Sequence, residues 1–190
     1  VELRSGRTAR FGGSVDRVDR GSDGSLVVSD YKTGSQAALR DLKRDPVAAG
    51  TKLQLPTYAL AAKAHLDWNG KVWARYWNVS WNRAFPSLLC DIDERLLERF
   101  NHVVATIAEG IEAGVFPGTP GDETFRRRRS TFENCVYCDF DAVCPTDRDL
   151  RWSVASRAPE VASVVELREP PDEQLAGMAV ESPVEFTEVD

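Results

Sequence analysis

Residues 13–34, GSVDRVDRGSDGSLVVSDYKTG, decide the fold. A mixed run up to Arg20 is followed by a polar Gly/Ser/Asp group and then by the apolar run LVVSDY, the pattern of a β-hairpin. With residues 21–25 as the loop, antiparallel pairing sets Asp16 opposite Asp30 and Ser14 opposite Lys32. Side chains alternate along a strand, so Asp30 and Lys32 share a face. Asp16, directly paired, joins them there. Two carboxylates on one patch repel unless a cation sits between them. Hard oxygen donors of this kind select Mg²⁺ or Mn²⁺. The bland alternative is a surface hairpin with solvated charges, and all three charged groups are expected at an exposed sheet edge.

Outward from the hairpin, residues 35–50 are charged and broken by Pro46 and Gly50, so they read as a loop with at most a short helix. Arg40, Lys43 and Arg44 in it are either phosphate contacts or solvated. Residues 51–66 (TKLQLPTYALAAKAHL) predict a helix with Pro56 in its first turns. Gln54 and Tyr58, four apart, lie on one face of it. Residues 71–80 and 84–92 are rich in aromatic and β-branched residues and predict a second hairpin that continues the sheet. Trp73, Trp77 and Trp81 suit packing better than base stacking, and Cys90 reads as core. Asp91, with Glu94 three residues on, is a capping-box start. Apolar residues then recur at helical spacing from Ile92 to Ile111, with Gly114 and Pro117 ending the helix. His65 and His102 read as structural or exposed.

The hairpin and the helix after it carry a resemblance. Gly13-Ser14-Val15-Asp16, then Asp30-Tyr31-Lys32-Thr33-Gly34, then Gln54-x-x-x-Tyr58 resembles the RecB-like branch of the PD-(D/E)XK nucleases. It extends over about residues 10–145. It implies an α/β fold: a restriction-endonuclease-like mixed sheet core flanked by helices, with a C-terminal Cys-rich segment. It implies that Asp16, Asp30 and the main-chain carbonyl of Tyr31 bind catalytic metal, and that Lys32 orients or deprotonates the attacking water. Gln54 would lie near the metal or the scissile phosphate, with Tyr58 beside it. The activity implied is Mg²⁺- or Mn²⁺-dependent cleavage of DNA, as an exonuclease rather than an endonuclease, in end processing, recombination or repair and beside a helicase domain or subunit. The alternative is an inactive DNA-binding or scaffolding module of the same fold.

A second constellation lies in FRRRRSTFENCVYCDFDAVCP. Cys135, Cys138 and Cys144 form C-x2-C-x5-C followed by Pro145. Three thiols so close call for a shared soft cation or a redox role rather than a disulfide framework. The spacing resembles the C-terminal part of the iron–sulfur clasp of AddB-type and CRISPR adaptation nucleases, which implies a 4Fe–4S cluster, with zinc as the alternative. The fourth ligand is either a cysteine upstream of Val1 or Cys90, and the chain reads as a segment lacking the N-terminal part of its domain. Arg126, Arg127, Arg128 and Arg129 are expected to meet a phosphate backbone rather than stay solvated.

The net charge of −6 is unevenly spread. Residues 159–190 hold nine acids and one base, leaving about +2 on residues 1–158. The expected organisation is a nuclease domain over residues 1–150 and an acidic, largely disordered tail over residues 151–190, with a short strand at 161–167. That tail would compete with DNA or lead to a partner. No apolar run is long enough to span a bilayer, so a cytoplasmic protein without a membrane partner is expected.

Overall fold

The computed structural model describes residues 1–3, 6–34, 41–80, 87–126, 129–168 and 179–181. The expectations for Arg40, Trp81, Arg127 and Arg128 lie outside these residues. The chain divides into two compact units, Val1–Ala108 with Leu167–Asp190, and Glu109–Glu166.

The first unit is built on a mixed sheet. β1 (Arg17–Arg20) pairs antiparallel with β2 (Leu26–Lys32) in the register Arg17↔Ser29 to Arg20↔Leu26. The expected loop of residues 21–25 is therefore observed, and one further step sets Asp16 opposite Asp30. Asp23 holds that loop by accepting from Ser25 N at 2.9 Å and Ser25 Oγ at 2.6 Å. α1 (Gln54–His65), with Pro56 in its first turn, leads to β3 (Val72–Asn78), which runs parallel to β2. β4 (Ser87–Asp91) returns antiparallel to β3, as expected of a second hairpin. A short β7 (Ala179–Glu181) pairs with β4, so that the order is β1-β2-β3-β4-β7.

Alternation along these strands gives the sheet one apolar face. Leu26 and Val28, Val72, Ala74 and Tyr76, and Leu88 and Cys90 pack there with Leu55, Ala59 and Ala62 of α1. α2 (Glu94–Glu112) lays Phe100, Val103 and Val104 into a second cluster with Leu3, Val47 and Leu167. Its start differs from expectation. Asp91 ends β4, and Asp93 caps the helix by accepting from Leu96 N at 2.9 Å. Burial pushes the Cys90 thiol up to about 12. A core position thus accounts for Cys90 without a metal.

The second unit contains an antiparallel pair that composition concealed, β5 (Glu123–Arg126) with β6 (Arg129–Phe132). α3 (Arg148–Ala155) follows the cysteines. α4 (Ala162–Arg168) replaces the strand expected at 161–167, and Leu167 is buried, so this part of the chain is not disordered linker. Val161, Val164, Val165 and Leu167 fall on one side of a helical turn, and that burial overrides their β-branched preference.

Candidate active site

The hairpin register brings the acidic and basic residues together, but not at a sheet edge. β2 is interior, lying between β1 and β3. Asp30 is only 5% exposed. This corrects the expectation of exposed charges: the edge position belongs to β1. Asp16, one residue before β1, is exposed and is tied to the same strand, because Tyr31 N donates to its Oδ2 at 2.8 Å.

Lys32 is held from three sides. Its Nζ lies 2.5 Å from Asp30 Oδ2, donates to Gln54 Oε1 at 2.8 Å, and sits 5.0 Å from the centroid of the Tyr76 ring. Gln54 is the first residue of α1, and its Nε2 donates to Tyr58 Oη over 3.4 Å. The Gln–Tyr pair four apart therefore reaches the hairpin through Lys32. Asp30 Oδ2 is buried and meets the Lys32 ammonium directly. The lysine so placed offsets the charge of this buried carboxylate oxygen.

The structure gives one motif residue its physical reason and adds one residue that the sequence pattern did not expose. Gly13 lies against the Tyr58 ring: a Cβ there would stand 3.1 Å from Cε1 and 3.4 Å from Oη. The glycine of G-x-x-D thus allows the lead-in to β1 to approach α1 closely. Tyr76 is the cross-strand partner of Asp30 and fully buried. Its phenol is raised above the usual tyrosine value, chiefly by burial, with Asp30 and Cys90 adding to it. Only the parallel β2–β3 register reveals that neighbour.

Upstream of Gln54 the chain turns tightly. Ala48, Ala49 and Gly50 all have positive φ (43°, 51° and 95°). Asp45 braces them: its carboxylate accepts from Val47 N at 3.2 Å and Ala49 N at 2.8 Å, and from Arg99 Nη2 at 2.9 Å. A Cβ on Gly50 would lie 2.6 Å from Ile107 Cδ1 and displace that side chain, and the φ of 95° itself favours glycine where the turn meets α2. This brace fixes where α1 begins, and hence where Gln54 stands.

The family model of the PD-(D/E)XK nuclease superfamily matches residues 1–145. The chain belongs to that superfamily. No curated protein and no solved structure gave a significant match. In this PD-(D/E)XK chain the matched span contains the whole hairpin, α1 and the cysteines. The mixed α/β sheet flanked by helices agrees with the restriction-endonuclease-like fold expected of a member. The carboxylates of Asp16 and Asp30 are hard oxygen groups of the chemistry that suits the divalent cation such nucleases use, with Lys32 Nζ beside Asp30 Oδ2.

The other predicted residues are placed as follows. Cys135 is half-buried, and Cys138 and Cys144 are exposed, in a chain of tight turns. Among the described residues, no three His, Cys, Asp or Glu side chains gather around one point. Arg126 and Arg129 are paired across the β5–β6 ladder. Trp73 and Trp77 are half-buried on the sheet, with Lys71 Nζ 4.0 Å from the Trp73 ring and the Arg75 guanidinium 4.2 Å from that of Trp77. Packing accounts for both. No helix among the described residues is long and apolar enough to cross a membrane.

Proposed function

We propose that this chain is a Mg²⁺- or Mn²⁺-dependent deoxyribonuclease of the RecB-like branch, acting on DNA ends in recombination or repair. The observation that supports it most directly is the junction of Asp30, Lys32 and Gln54 on one face, with Asp16 tied to the same strand. Asp16, Asp30 and the Tyr31 main-chain carbonyl would hold the cation. When bound, it lowers the pKa of a water and offsets charge on the phosphate. Lys32, held by Asp30 and Gln54, would orient the attacking water rather than swing freely. Gln54 and Tyr58 form the wall of the site toward the substrate. Exonuclease action beside a helicase is the reading the family pattern favours.

In the same reading Cys135, Cys138 and Cys144 hold a 4Fe–4S cluster or zinc, with the remaining ligand from elsewhere in the protein. The support is their spacing and the need of their unit for a staple, because residues 109–166 bury no large apolar side chain among the described residues.

End-labelled DNA incubated with the full chain tests the nuclease reading. Cleavage should appear with Mg²⁺ or Mn²⁺ and vanish with a chelator. DNA binding without cleavage under every metal condition would support the inactive module instead.

A further inference from the structure

The three holds on Lys32, from the Asp30 carboxylate, the Gln54 amide and the Tyr76 ring, are not equivalent. In the nuclease reading Asp30 is assigned to the cation and Gln54 to the wall facing the substrate, so a loaded site takes up both. The Tyr76 ring is different. It has no oxygen on its face for a hard cation, and it is fully buried, away from substrate. The parallel register sets Tyr76 beside Asp30, two residues before Lys32 on the same face of β2. The ring belongs to the core cluster that includes Leu55 and Ala59 of α1, and its phenol feels the Leu55 main chain, next after Gln54. An ammonium over an aromatic face is attracted by the ring quadrupole, the more so as water is excluded. The Lys32 Nζ stands 5.0 Å from this ring centroid, and its side chain is only 30% exposed. An aliphatic residue at position 76 would fill the core but give the ammonium no attraction.

We propose that Tyr76 is a positioning residue of the site: its ring is the seat that keeps the Lys32 ammonium in place once cation and substrate engage Asp30 and Gln54. The proposal rests on the nuclease reading for what Lys32 then acts on, the attacking water. It deepens that reading by separating the groups that meet the reactants from the one that holds the lysine.

The test follows Lys32 itself as well as turnover. The full chain labelled with ¹³C at lysine Cε gives one NMR signal per lysine, and Lys32→Met identifies that of Lys32. The ring should shift this methylene upfield, and the shift should persist when Mg²⁺ is added, both in the parent and in Tyr76→Phe, which keeps the ring. In Tyr76→Leu the shift should be lost, and Mg²⁺ should bring the signal to the position of an exposed lysine. In DNA cleavage, kcat should fall about 2- to 30-fold in Tyr76→Leu, the range for one such contact, with KM unchanged. Tyr76→Phe should stay within about twofold. Phe100→Ala, in the other core cluster, controls for lost stability and should leave the Lys32 signal upfield. A Lys32 signal unmoved in Tyr76→Leu overturns the seat. So does a parent signal that drifts to the exposed position with Mg²⁺, an arm that decides even if Tyr76→Leu fails to fold. A change in KM alone, or an equal loss of kcat in Tyr76→Phe, overturns the positioning role. Signals that behave as expected in a chain that never cleaves DNA leave the seat standing and remove the nuclease reading.

Discussion

The two units of this chain are held together by different means. In the first, Phe100, Val103, Leu55, Leu89 and Tyr76 are sealed from solvent, and the candidate site is rooted in strands and a helix that share this core. In the second, Phe116, Phe125, Tyr137, Phe140 and Val143 are more than 70% exposed, and main-chain turns and exposed ion pairs take the place of packing. Arg148 illustrates this: it donates from Nε to Pro145 O at 2.9 Å and from Nη2 to Asp141 O at 2.8 Å, tying the end of the cysteine loop to α3. The Arg151–Asp147 ion pair of α3, by contrast, is exposed on both sides and adds little stability. The first unit can therefore keep two carboxylates and a lysine in fixed geometry, as preorganised chemistry requires. The second leaves several large aromatic side chains open to solvent.

The largest expected effect lies in the first unit. Asp30→Asn keeps the volume of a buried side chain but removes the charge that would hold metal, so cleavage should fall by about a thousandfold or more, equivalent to several kcal/mol of barrier. Circular dichroism and thermal melting should remain close to those of the parent, and full activity in this variant would sink the site assignment.

Next comes the second unit. Protein purified without oxygen should carry iron and sulfide, or stoichiometric zinc. Cys138→Ser should lose the metal and unfold residues 109–166, which would be seen as early proteolysis there while the first unit melts as before. Metal-free protein with an intact second unit would break the contrast.

Smaller and purely structural is Phe100→Ala, which opens a cavity in the first core and should cost about 3–5 kcal/mol by denaturant titration. Leu150→Ala, at a 61% exposed position of α3, should stay within about 0.5 kcal/mol. Comparable costs would mean that the second unit has a core after all. The least effect concerns Cys90. With its thiol raised to about 12 from an ordinary 9, it is protonated at neutral pH and should resist alkylation until the chain unfolds. Its contribution to stability is complete below pH 9 and is lost between the two values, because the unfolded thiol ionises first.

The hairpin was legible in the sequence because polar turn residues separate two runs whose register admits one choice. Gln54 and Tyr58 were legible from helical spacing. The parallel run of β3 beside β2 was not, since no local signal distinguishes it from a simple meander, and the closeness of Tyr76 to Asp30 was hidden with it. The brace of Asp45 and Arg99 joins residues 54 apart and leaves no periodic trace. β5 and β6 were concealed by the arginines between them, whose charge reads as loop. The acidic, proline-containing C-terminal stretch suggested disorder, yet Leu167 is 3% exposed in the second core cluster. Deleting residues 159–190 to test charge competition would therefore also remove part of the core.

β7 has a further consequence. It pairs with β4 through Leu88↔Glu181, Leu89↔Val180 and Cys90↔Ala179, and so covers a strand whose middle three residues, Leu88, Leu89 and Cys90, are apolar. Until residue 181 has been synthesised, that strand presents unpaired amides and carbonyls along a hydrophobic ridge, the template on which chains join edge to edge. Nascent or prematurely terminated protein is thus open to self-association through β4, and the last strand of the sheet serves as a solubility device.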